Sequence, residues 1–307
     1  MDDRVTGLVL HFRTPQRTLA CLKSLLAEHV RDVVVVDNSE DGGRSLASMA
    51  SGLKLLQADG LRLTMLRPAQ NLGFAGGVSA GLEHVLATGP SHVLLINSDA
   101  VLERGALANM LTALQSAAIV VPLMRAAAAA QPVRAIVFYQ ALFALYLRSP
   151  SRPSIRYPSG CCVLIRNDQV RADLFDRDFF FYGEDVMLGF DLARRGIKVV
   201  QCAEATVIHA GSASAKNGSL FYEYHMVRAH WLLARKLASN PVERFAFVAA
   251  RCLTLPARAL VRSLRFRSLL PWRGLIAASF DVLRGRCRSL TPPAQAADAL
   301  AVSAPAK

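Results

Sequence analysis

The chain has 307 residues, a formal net charge of +13, 52% hydrophobic residues and a mean hydropathy of +0.29. So apolar a composition excludes a disordered protein and supplies the core of one large or two modest domains. Residues 240–307 hold ten Arg and one Lys against three acids, a net charge of +8, while the first 239 residues carry +5. The basic excess therefore belongs to a C-terminal segment, whose partner is an anionic membrane, a nucleic acid or none.

The first ten residues have two acids and no positively charged leader, so they do not predict a secretory signal. The six cysteines form no Cys-x-x-Cys pair, which favours buried free thiols over disulfides or zinc. The longest uncharged stretch, between Arg104 and Arg125, contains polar residues and a proline and predicts a helix and a strand instead of a membrane span. We therefore expect a cytoplasmic protein.

In chain order, β-branched runs alternate with amphipathic stretches, the pattern of a parallel sheet with crossover helices. Uninterrupted apolar runs, Val33 to Val36 and Val93 to Ile96, are typical of a sheet covered on both faces. The predicted fold class is α/β. Strands are expected at 7–10, 32–37, 61–66, 92–97 and 119–122, and helices near 15–27, 44–57, 76–88 and 105–117.

Polar residues follow the predicted strands. They include His11, Asp37, Asn71 and Asp99, and for each alone a role as turn residue or helix cap is the favoured explanation. Together they predict a ligand site at the carboxyl edge of the sheet. The first strand lacks the glycine-rich turn of a dehydrogenase-type dinucleotide site. Glycines follow the third strand instead, where they either admit a sugar nucleotide or form a tight loop.

Six segments, in this order, resemble the family-2 glycosyltransferases with the GT-A fold, specifically their rhamnosyltransferase-like branch. The segments are VVVVDNSEDGG (33–43), NLGFAGGVSAG (71–81), LLINSDAVLE (94–103), SGCCVLIRNDQV (159–170), FDRDFFFYGEDVMLGFDLARRGIKVV (175–200) and VIHAGSAS (207–214). The resemblance implies a Rossmann-like nucleotide-diphospho-sugar transferase, with a mixed, mainly parallel sheet and helices on both faces. We expect a catalytic domain at 1–235, a basic amphipathic helical segment at 236–290 and a disordered tail at 291–307.

The resemblance further implies that a nucleoside diphosphate sugar binds at the sheet edge. Asp37 resembles the aspartate that contacts the base, whereas His11 and Arg13 stand where the family more often has Thr-Tyr-Asn. The expected nucleotide-sugar-binding residues are His11, Arg13, Asp37, Asn38, Asn71, Gly73, Gly76 and Asn97.

A divalent metal, Mg²⁺ or Mn²⁺, is implied as the cofactor that stabilises the departing diphosphate. Asp99 retains the family's acidic ligand, but Asn97-Ser98-Asp99 has one carboxylate where many members have two. His209 resembles the late histidine and is the expected second ligand; without its motif it would more often be structural. Gly211 to Ser214 is expected to form a mobile loop over the diphosphate.

Gly183-Glu184-Asp185 begins a predicted helix that ends near Arg195. The resemblance implies that Asp185 is the catalytic base and Glu184 a supporting carboxylate, while helix capping alone is the alternative. A helix N-terminus lowers carboxylate pKa values, so both acids are expected to be ionised at neutral pH. A single displacement here inverts the anomeric configuration. The preceding residues Phe179 to Tyr182 form core, or stack on the acceptor sugar.

Two further segments suggest the acceptor side. Residues 135–147, read as a helix, would be apolar on nearly every side, and either pack on the sheet or contact a polyprenyl chain or membrane. Asn240 to Glu243 predicts a helix start, and Pro256 is expected to divide that helix in two. Five arginines recur on one side of it: Arg244, Arg251, Arg258, Arg262 and Arg265. This basic stripe faces an anionic membrane, or docks on the catalytic domain.

The sequence thus favours an inverting glycosyltransferase that uses a nucleoside diphosphate donor, first dTDP-rhamnose. Its acceptor is a saccharide, alone or on a polyprenyl diphosphate, in bacterial surface polysaccharide or O-antigen assembly. We expect the protein at the inner face of the cell membrane. The alternative is a non-catalytic GT-A-fold scaffold of a membrane complex. A nucleic-acid partner is disfavoured because no recognised motif accompanies the charge.

Overall fold

The computed structural model describes residues 4–151, 153–210, 217–288 and 290, which form an α/β fold. Gly211 to Ser214 and the tail from Thr291 lie outside the described residues. The strands are β1 (Val5–His11), β2 (Asp32–Asp37), β3 (Arg62–Leu66), β4 (His92–Asn97), β5 (Ala100–Leu102), β6 (Ile119–Ala126), β7 (Ile136–Gln140), β8 (Leu145–Leu147), β9 (Ile155–Pro158), β10 (Cys162–Ile165) and β11 (Val199–His209). The helices are α1 (Pro15–Ala27), α2 (Arg44–Ala58), α3 (Gly73–Thr88), α4 (Ala106–Leu114), α5 (Glu184–Arg194), α6 (Leu220–Lys236), α7 (Pro241–Phe266) and α8 (Leu270–Leu283).

The main sheet has eight strands in the order β3-β2-β1-β4-β10-β6-β11-β5. The strands β3, β2, β1 and β4 are parallel, as are β6 and β11, whereas β10 is antiparallel to both β4 and β6. The predicted mixed, mainly parallel sheet is confirmed. Because β1, β2 and β4 are parallel neighbours, their carboxyl ends, and the polar residues there, share one edge.

Alternating burial explains why the apolar runs form central strands. Val33 and Val35 of β2 lie in one buried cluster with α1, while Val34 and Val36 lie in the other with α3. Residues of β4 divide between the same two clusters. Side chains of a strand alternate between faces, so both faces of the sheet are covered, as the runs predict.

The segment 135–147 is not a helix. It forms β7 and β8, an antiparallel hairpin that joins β9 in a separate three-stranded sheet. β-branched and aromatic residues favour a strand from Ile136 to Tyr139, and Ala144 supplies the positive φ of 59° in the turn. The tyrosines Tyr139 and Tyr146 face each other across the hairpin, with ring centroids 5.1 Å apart.

The C-terminal segment contains the helices α7 and α8, and α7 is continuous through Pro256 instead of divided there. Proline removes the hydrogen bond to the carbonyl four residues earlier. That carbonyl belongs to the exposed residue Cys252, where water can replace the lost donor. Asn240 caps the helix by accepting a hydrogen bond from the Glu243 amide, as the sequence predicts.

The arginine stripe of α7 points largely inward, so its expected contact with a membrane is wrong for three of the five residues. Arg251 is fully buried and donates to the carbonyls of His230, Leu142 and Phe247. Arg258 and Arg262 pair with Glu223 of α6, which is itself fully buried. Buried carbonyls and carboxylates require donors, and this need outweighs solvation of the guanidinium groups.

Consequently the apolar side of these helices faces outward. Leu253, Leu264 and Leu283 are 75%, 71% and 85% exposed. Within the described part of the chain, no helix is long and apolar enough to cross a membrane. All six cysteines are free; four are buried as expected, whereas Cys252 and Cys287 are exposed.

Candidate active site

One cavity at the carboxyl edge of the sheet brings together most of the residues singled out in the sequence. Its walls come from the ends of β1, β2, β4 and β11, the segment before α3 and the first turn of α5. Nine predicted site residues line it: His11, Asn38, Asn71, Gly73, Asn97, Asp99, Glu184, Asp185 and His209. Arg13, Asp37 and Gly76 are not among its lining residues.

Asn38 fastens the end of β2 to the start of α3. Its side-chain amide donates to the Gly73 carbonyl at 2.8 Å. Gly73 has a φ of +70°, and a Cβ there would lie 2.2 Å from the Phe180 carbonyl oxygen. Glycine is therefore required here both by backbone conformation and by space. Asn71 accepts a hydrogen bond from the Gly73 amide at 2.8 Å, which closes the turn.

The end of β1 presents a neutral histidine. His11 is fully buried, and its Nδ1 lies 2.7 Å from the Thr18 hydroxyl, whereas Nε2 has no partner among the described residues. Burial lowers the pKa of His11, although Asp37 and Asp41 act in the opposite direction. The free Nε2 is thus available to a bound ligand.

Arg13 and Asp37 hold the loop after β2 instead of lining the cavity. Arg13 donates through Nε to the Ser39 carbonyl at 2.7 Å, and Asp37 accepts from the Ser39 amide at 3.0 Å. Gly76 lies in the first turns of α3, where a Cβ would meet the Leu72 side chain at 3.0 Å. These three residues shape the wall from behind.

Asp99 and His209 meet although 110 positions separate them in sequence. β11 pairs antiparallel with β5, which places His209 opposite Ala100, and the His209 Nε2 lies 3.1 Å from Asp99 Oδ1. Burial lowers the pKa of His209, but Cys161 and Asp99 outweigh it and raise that pKa. A hydrogen bond thus joins the ring to the carboxylate.

Carboxylate oxygen suits both Mg²⁺ and Mn²⁺, and imidazole nitrogen suits Mn²⁺ better than Mg²⁺, so Asp99 and His209 fit a divalent metal as two of its ligands once the His209 Nε2 has lost its proton. Among the described residues, no group of three or more His, Cys, Asp or Glu forms a metal site. Further ligands would have to come from a substrate, such as the oxygens of a diphosphate.

Glu184 and Asp185 are the first two residues of α5, and the two residues before them have positive φ: Tyr182 at 67° and Gly183 at 89°. Glu184 Oε2 and Asp185 Oδ1 are buried without hydrogen-bond partners among the described residues. Strained backbone beside buried unpaired carboxylates is typical of a functional site.

The expectation that both acids are ionised at neutral pH is wrong. Burial, reinforced by the charge of Asp185, raises the pKa of Glu184 well above its ordinary value. Burial also raises the pKa of Asp185 to about 6, although the Gly160 amide lowers it. Loss of water outweighs the helix dipole because, among the residues that the structure describes, neither carboxylate has an ion partner that would offset desolvation. Near neutral pH, Asp185 is the ionised member of the pair.

Aromatic side chains complete the wall near these acids. Phe180, Phe181 and Tyr182 line the cavity, whereas Phe179 is core. Phe221 of α6 also lines it and packs edge to face on Phe181, with ring centroids 5.3 Å apart. Behind them the buried His225 stacks on Phe180 at 5.1 Å. The cavity therefore has a polar side at the sheet and an aromatic side at α6.

Sequence reasoning assigned no role to Ser159, Gly160 and Cys161, which also line the cavity. Gly160 matters most, because a Cβ there would lie 2.6 Å from Asp185 Oδ1. These residues belong to the SGCC segment, which indicates the family but not their place beside Asp185. Nothing local in it reveals that β10 runs antiparallel between β4 and β6 and carries Gly160 to Asp185.

A family model described as glycosyltransferase-like family 2 matches residues 4–231, most of the chain and all of the cavity. The chain belongs to this glycosyltransferase family. Its fold is that of the GT-A glycosyltransferases, and the family predicted from the six motifs is confirmed. No curated protein matches this glycosyltransferase by sequence.

Solved structures agree on the fold. The crystal structure of GalNAc-T7 with UDP, GalNAc and Mn²⁺ matches with a TM-score of 0.56 and 14% identity, over 73% of this chain and 47% of that one. S. aureus TarS 1–349 matches with a TM-score of 0.51 and 13% identity, over 92% and 80%. The glycosyltransferase thus spans about half the length of GalNAc-T7, and at these identities the likeness extends to the fold alone.

Proposed function

We propose that this glycosyltransferase moves a sugar from a nucleoside diphosphate to a saccharide hydroxyl with inversion at the anomeric carbon. The observation that carries the proposal is that the Asp99–His209 pair and the Glu184–Asp185 pair open into one cavity. The first pair suits the departing diphosphate and the second suits the attacking hydroxyl. A displacement needs both ends of the reaction in one place.

The donor end is formed by the residues of β1, β2 and α3. His11, Asn38 and Asn71 line the cavity and contact the nucleotide, while Arg13, Asp37 and Gly76 hold the surrounding loop. The resemblance to the rhamnosyltransferase-like branch favours dTDP-rhamnose. UDP in the GalNAc-T7 structure supports a uridine donor as the second candidate. Uracil and thymine present the same N3–H to a hydrogen-bond acceptor of the protein, so the site would accept either base.

Asp99 and His209 would hold a divalent metal, which would neutralise charge on the leaving diphosphate when bound. The protein's own part is to hold the two ligands 3.1 Å apart at the meeting of β5 and β11. With one carboxylate instead of two, metal binding depends on donor binding.

Asp185 removes the proton from the acceptor hydroxyl as that oxygen attacks. Its pKa of about 6 leaves it ionised at neutral pH and still basic enough to accept a proton. Glu184, whose pKa is raised further, stays protonated and can donate a hydrogen bond to the acceptor or to Asp185. The aromatic wall of Phe180, Phe181 and Phe221 packs on the acceptor sugar.

The acceptor is a saccharide carried on a polyprenyl diphosphate, in the assembly of a bacterial surface polysaccharide such as O-antigen, at the inner face of the membrane. We assign catalysis to residues 1–235 and attachment to residues 236–290. Exposed apolar side chains on α7 and α8, not the arginine stripe, support this attachment. Apolar side chains enter the region between headgroups and acyl chains, and neighbouring arginines attract anionic lipids.

Donor binding and transfer test the proposal together. UDP-, dTDP- and GDP-sugars are screened by thermal shift and by transfer to a soluble saccharide, with and without Mn²⁺. Asp99→Asn should lose the Mn²⁺-dependent part of donor binding and transfer, whereas Asp168→Asn, a change at an exposed carboxylate, should lose neither. Transfer by Asp99→Asn at the wild-type rate would refute the metal role. Membrane attachment without any transfer would favour the scaffold function.

A further inference from the structure

A second cleft lies on the C-terminal side of the molecule, among the end of α6, the start of α7 and the end of α8. It is strongly basic. Its lining includes Arg228, Arg235, Lys236, Arg244 and Arg286, with Asp178 as the acidic member. The cleft has a volume of about 360 Å³, which is room for an anionic group with several of its waters.

Most of this positive charge is not neutralised by the protein. Lys236 is paired, with its Nζ 2.7 Å from Asp176 and 2.6 Å from Asp178. In the described part of the chain, Arg235, Arg244 and Arg286 have no carboxylate within ion-pair distance. Three guanidinium groups around one cleft repel each other unless an anion lies between them.

A buried donor in the same cleft also lacks an acceptor. Arg228 donates through Nη1 to the Asp178 carbonyl at 2.7 Å, but its Nε is buried with no partner among the described residues. Other arginines of the same helices do have acidic partners: Glu223 forms ion pairs with Arg258 and Arg262. The described residues therefore leave one N–H of Arg228, a lining residue of the basic cleft, without an acceptor.

On two helices, exposed apolar side chains lie close in sequence to residues that line the cleft. Val242 and Phe245, on either side of Arg244 in α7, are 79% and 74% exposed. Leu283, next to the lining residue Val282 in α8, is 85% exposed. A small soluble phosphate would use the arginines and leave these side chains in water. A lipid uses both, because its phosphate enters the cleft and its acyl chains cover these apolar side chains.

We propose that the cleft among α6, α7 and α8 binds the phosphate headgroup of a membrane lipid. The proposal rests on the proposed attachment to the membrane and adds to it a defined lipid site. Bidentate guanidinium contacts suit phosphate oxygens, which explains arginine at four of the five basic positions. The site is separate from the candidate active site, since the two cavities share no lining residue.

The test is flotation of the full chain with vesicles of phosphatidylcholine alone and of phosphatidylcholine with phosphatidylglycerol. The cleft variant is Arg235→Gln with Arg286→Gln. The matched control is Arg267→Gln with Arg273→Gln, which removes the same charge from exposed arginines of the same helical segment outside the cleft. The cleft variant should bind the anionic vesicles about thirtyfold more weakly, and the control less than about threefold.

Equal losses of vesicle binding in the two variants would overturn the proposed lipid site, because they would show that the total positive charge matters and its position does not. So would equal binding of wild type to both kinds of vesicle. Inorganic phosphate separates the two sources of the anion: if it displaces the chain from anionic vesicles at submillimolar concentration, the cleft takes a soluble phosphate and the lipid proposal is wrong. Unchanged thermal unfolding excludes misfolding of the variants. Sugar transfer to a soluble acceptor, measured on the same samples, reports the proposed function independently.

Discussion

At the scale of single residues, the most informative feature is the pair of adjacent acids at the start of α5. A helix N-terminus stabilises negative charge, yet burial raises the pKa of both Glu184 and Asp185. The pair therefore holds one proton near neutral pH. This division of roles, one acid ionised and its neighbour protonated, is what a base and a positioning donor require.

The pH dependence of transfer follows from this pair. Asp185 must lose its proton to act as the base, so kcat/KM should rise about tenfold per pH unit below pH 6 and level off above it. Glu184→Gln should leave the midpoint near 6, because Glu184 already carries a proton when Asp185 titrates. Initial rates from pH 5 to 8 measure both, and a flat profile down to pH 5 would contradict the assignment.

The sequence predicts the identity of these acids but not their protonation. Motif order places Glu184 and Asp185 at a helix start, and a helix start alone indicates ionised carboxylates. The opposite result comes from burial, which encloses both carboxylates and gives Glu184 Oε2 and Asp185 Oδ1 no hydrogen-bond partner among the described residues. Burial is a property of the packed molecule, so local sequence cannot give its magnitude.

At the scale of elements, the turn before α3 depends on Gly73. A Cβ at this position would overlap the Phe180 carbonyl oxygen, which accepts the Phe74 amide at 2.8 Å. This contact joins the start of α3 to the segment that carries Tyr182 and Glu184. The turn therefore sets the separation between the Asn38 and Asn71 side of the cavity and the acids Glu184 and Asp185.

Gly73→Ala tests this link against a glycine of equal backbone conformation. Gly42 has a φ of +68°, but a Cβ added there would have no atom within 4 Å, so Gly42→Ala introduces only backbone strain, about 1 kcal/mol. Gly73→Ala adds a collision with backbone and should cost at least about 3 kcal/mol, with a marked loss of kcat. Urea unfolding and initial rates measure the difference; equal costs for the two variants would show that the contact is unimportant.

The ion pairs between α6 and α7 predict another element-scale effect. Glu223→Gln leaves Arg258 and Arg262 without their buried carboxylate and should lower the free energy of unfolding by about 3–5 kcal/mol. Asp168→Asn removes an exposed partner of Arg166 and should cost less than about 1 kcal/mol. If both variants unfold at the same urea concentration, α7 does not depend on Glu223.

Sequence periodicity locates α7 but assigns its two sides wrongly. The arginine side looks like a solvated or membrane-facing surface because arginine is usually exposed. The acceptors that bury it lie on the hairpin of β7 and β8 and on α6, which are distant in sequence. The same hairpin was missed as a strand pair because residues 135–147 are too apolar for periodicity to separate strand from helix.

At the scale of the whole molecule, the inward arginines leave an outward apolar surface on α7 and α8. Leu253→Ser with Leu264→Ser should reduce flotation with anionic vesicles at least tenfold, since these side chains are 75% and 71% exposed. Leu55→Ser with Leu86→Ser, on exposed leucines of α2 and α3, is the control and should change flotation little. Equal behaviour of the two variants would place the membrane contact elsewhere.

Under the proposed function, the cavity at the sheet edge serves catalysis, and the basic cleft and the apolar surface serve attachment. The family match covers residues 4–231 and therefore includes every residue that lines the cavity at the sheet edge. The arrangement of α7 and α8 lies beyond that match and follows from this chain's own contacts. Attachment and transfer can therefore be tested by different substitutions.

The stereochemistry and rate of one turnover decide whether Asp185 is the base of an inverting sugar transfer. NMR of the product formed from the donor found by thermal shift gives the anomeric configuration. We expect an inverted product, and for Asp185→Asn a transfer rate lower by about 10²–10⁴ with donor binding retained. A retained configuration, or transfer by Asp185→Asn at the wild-type rate, would contradict it.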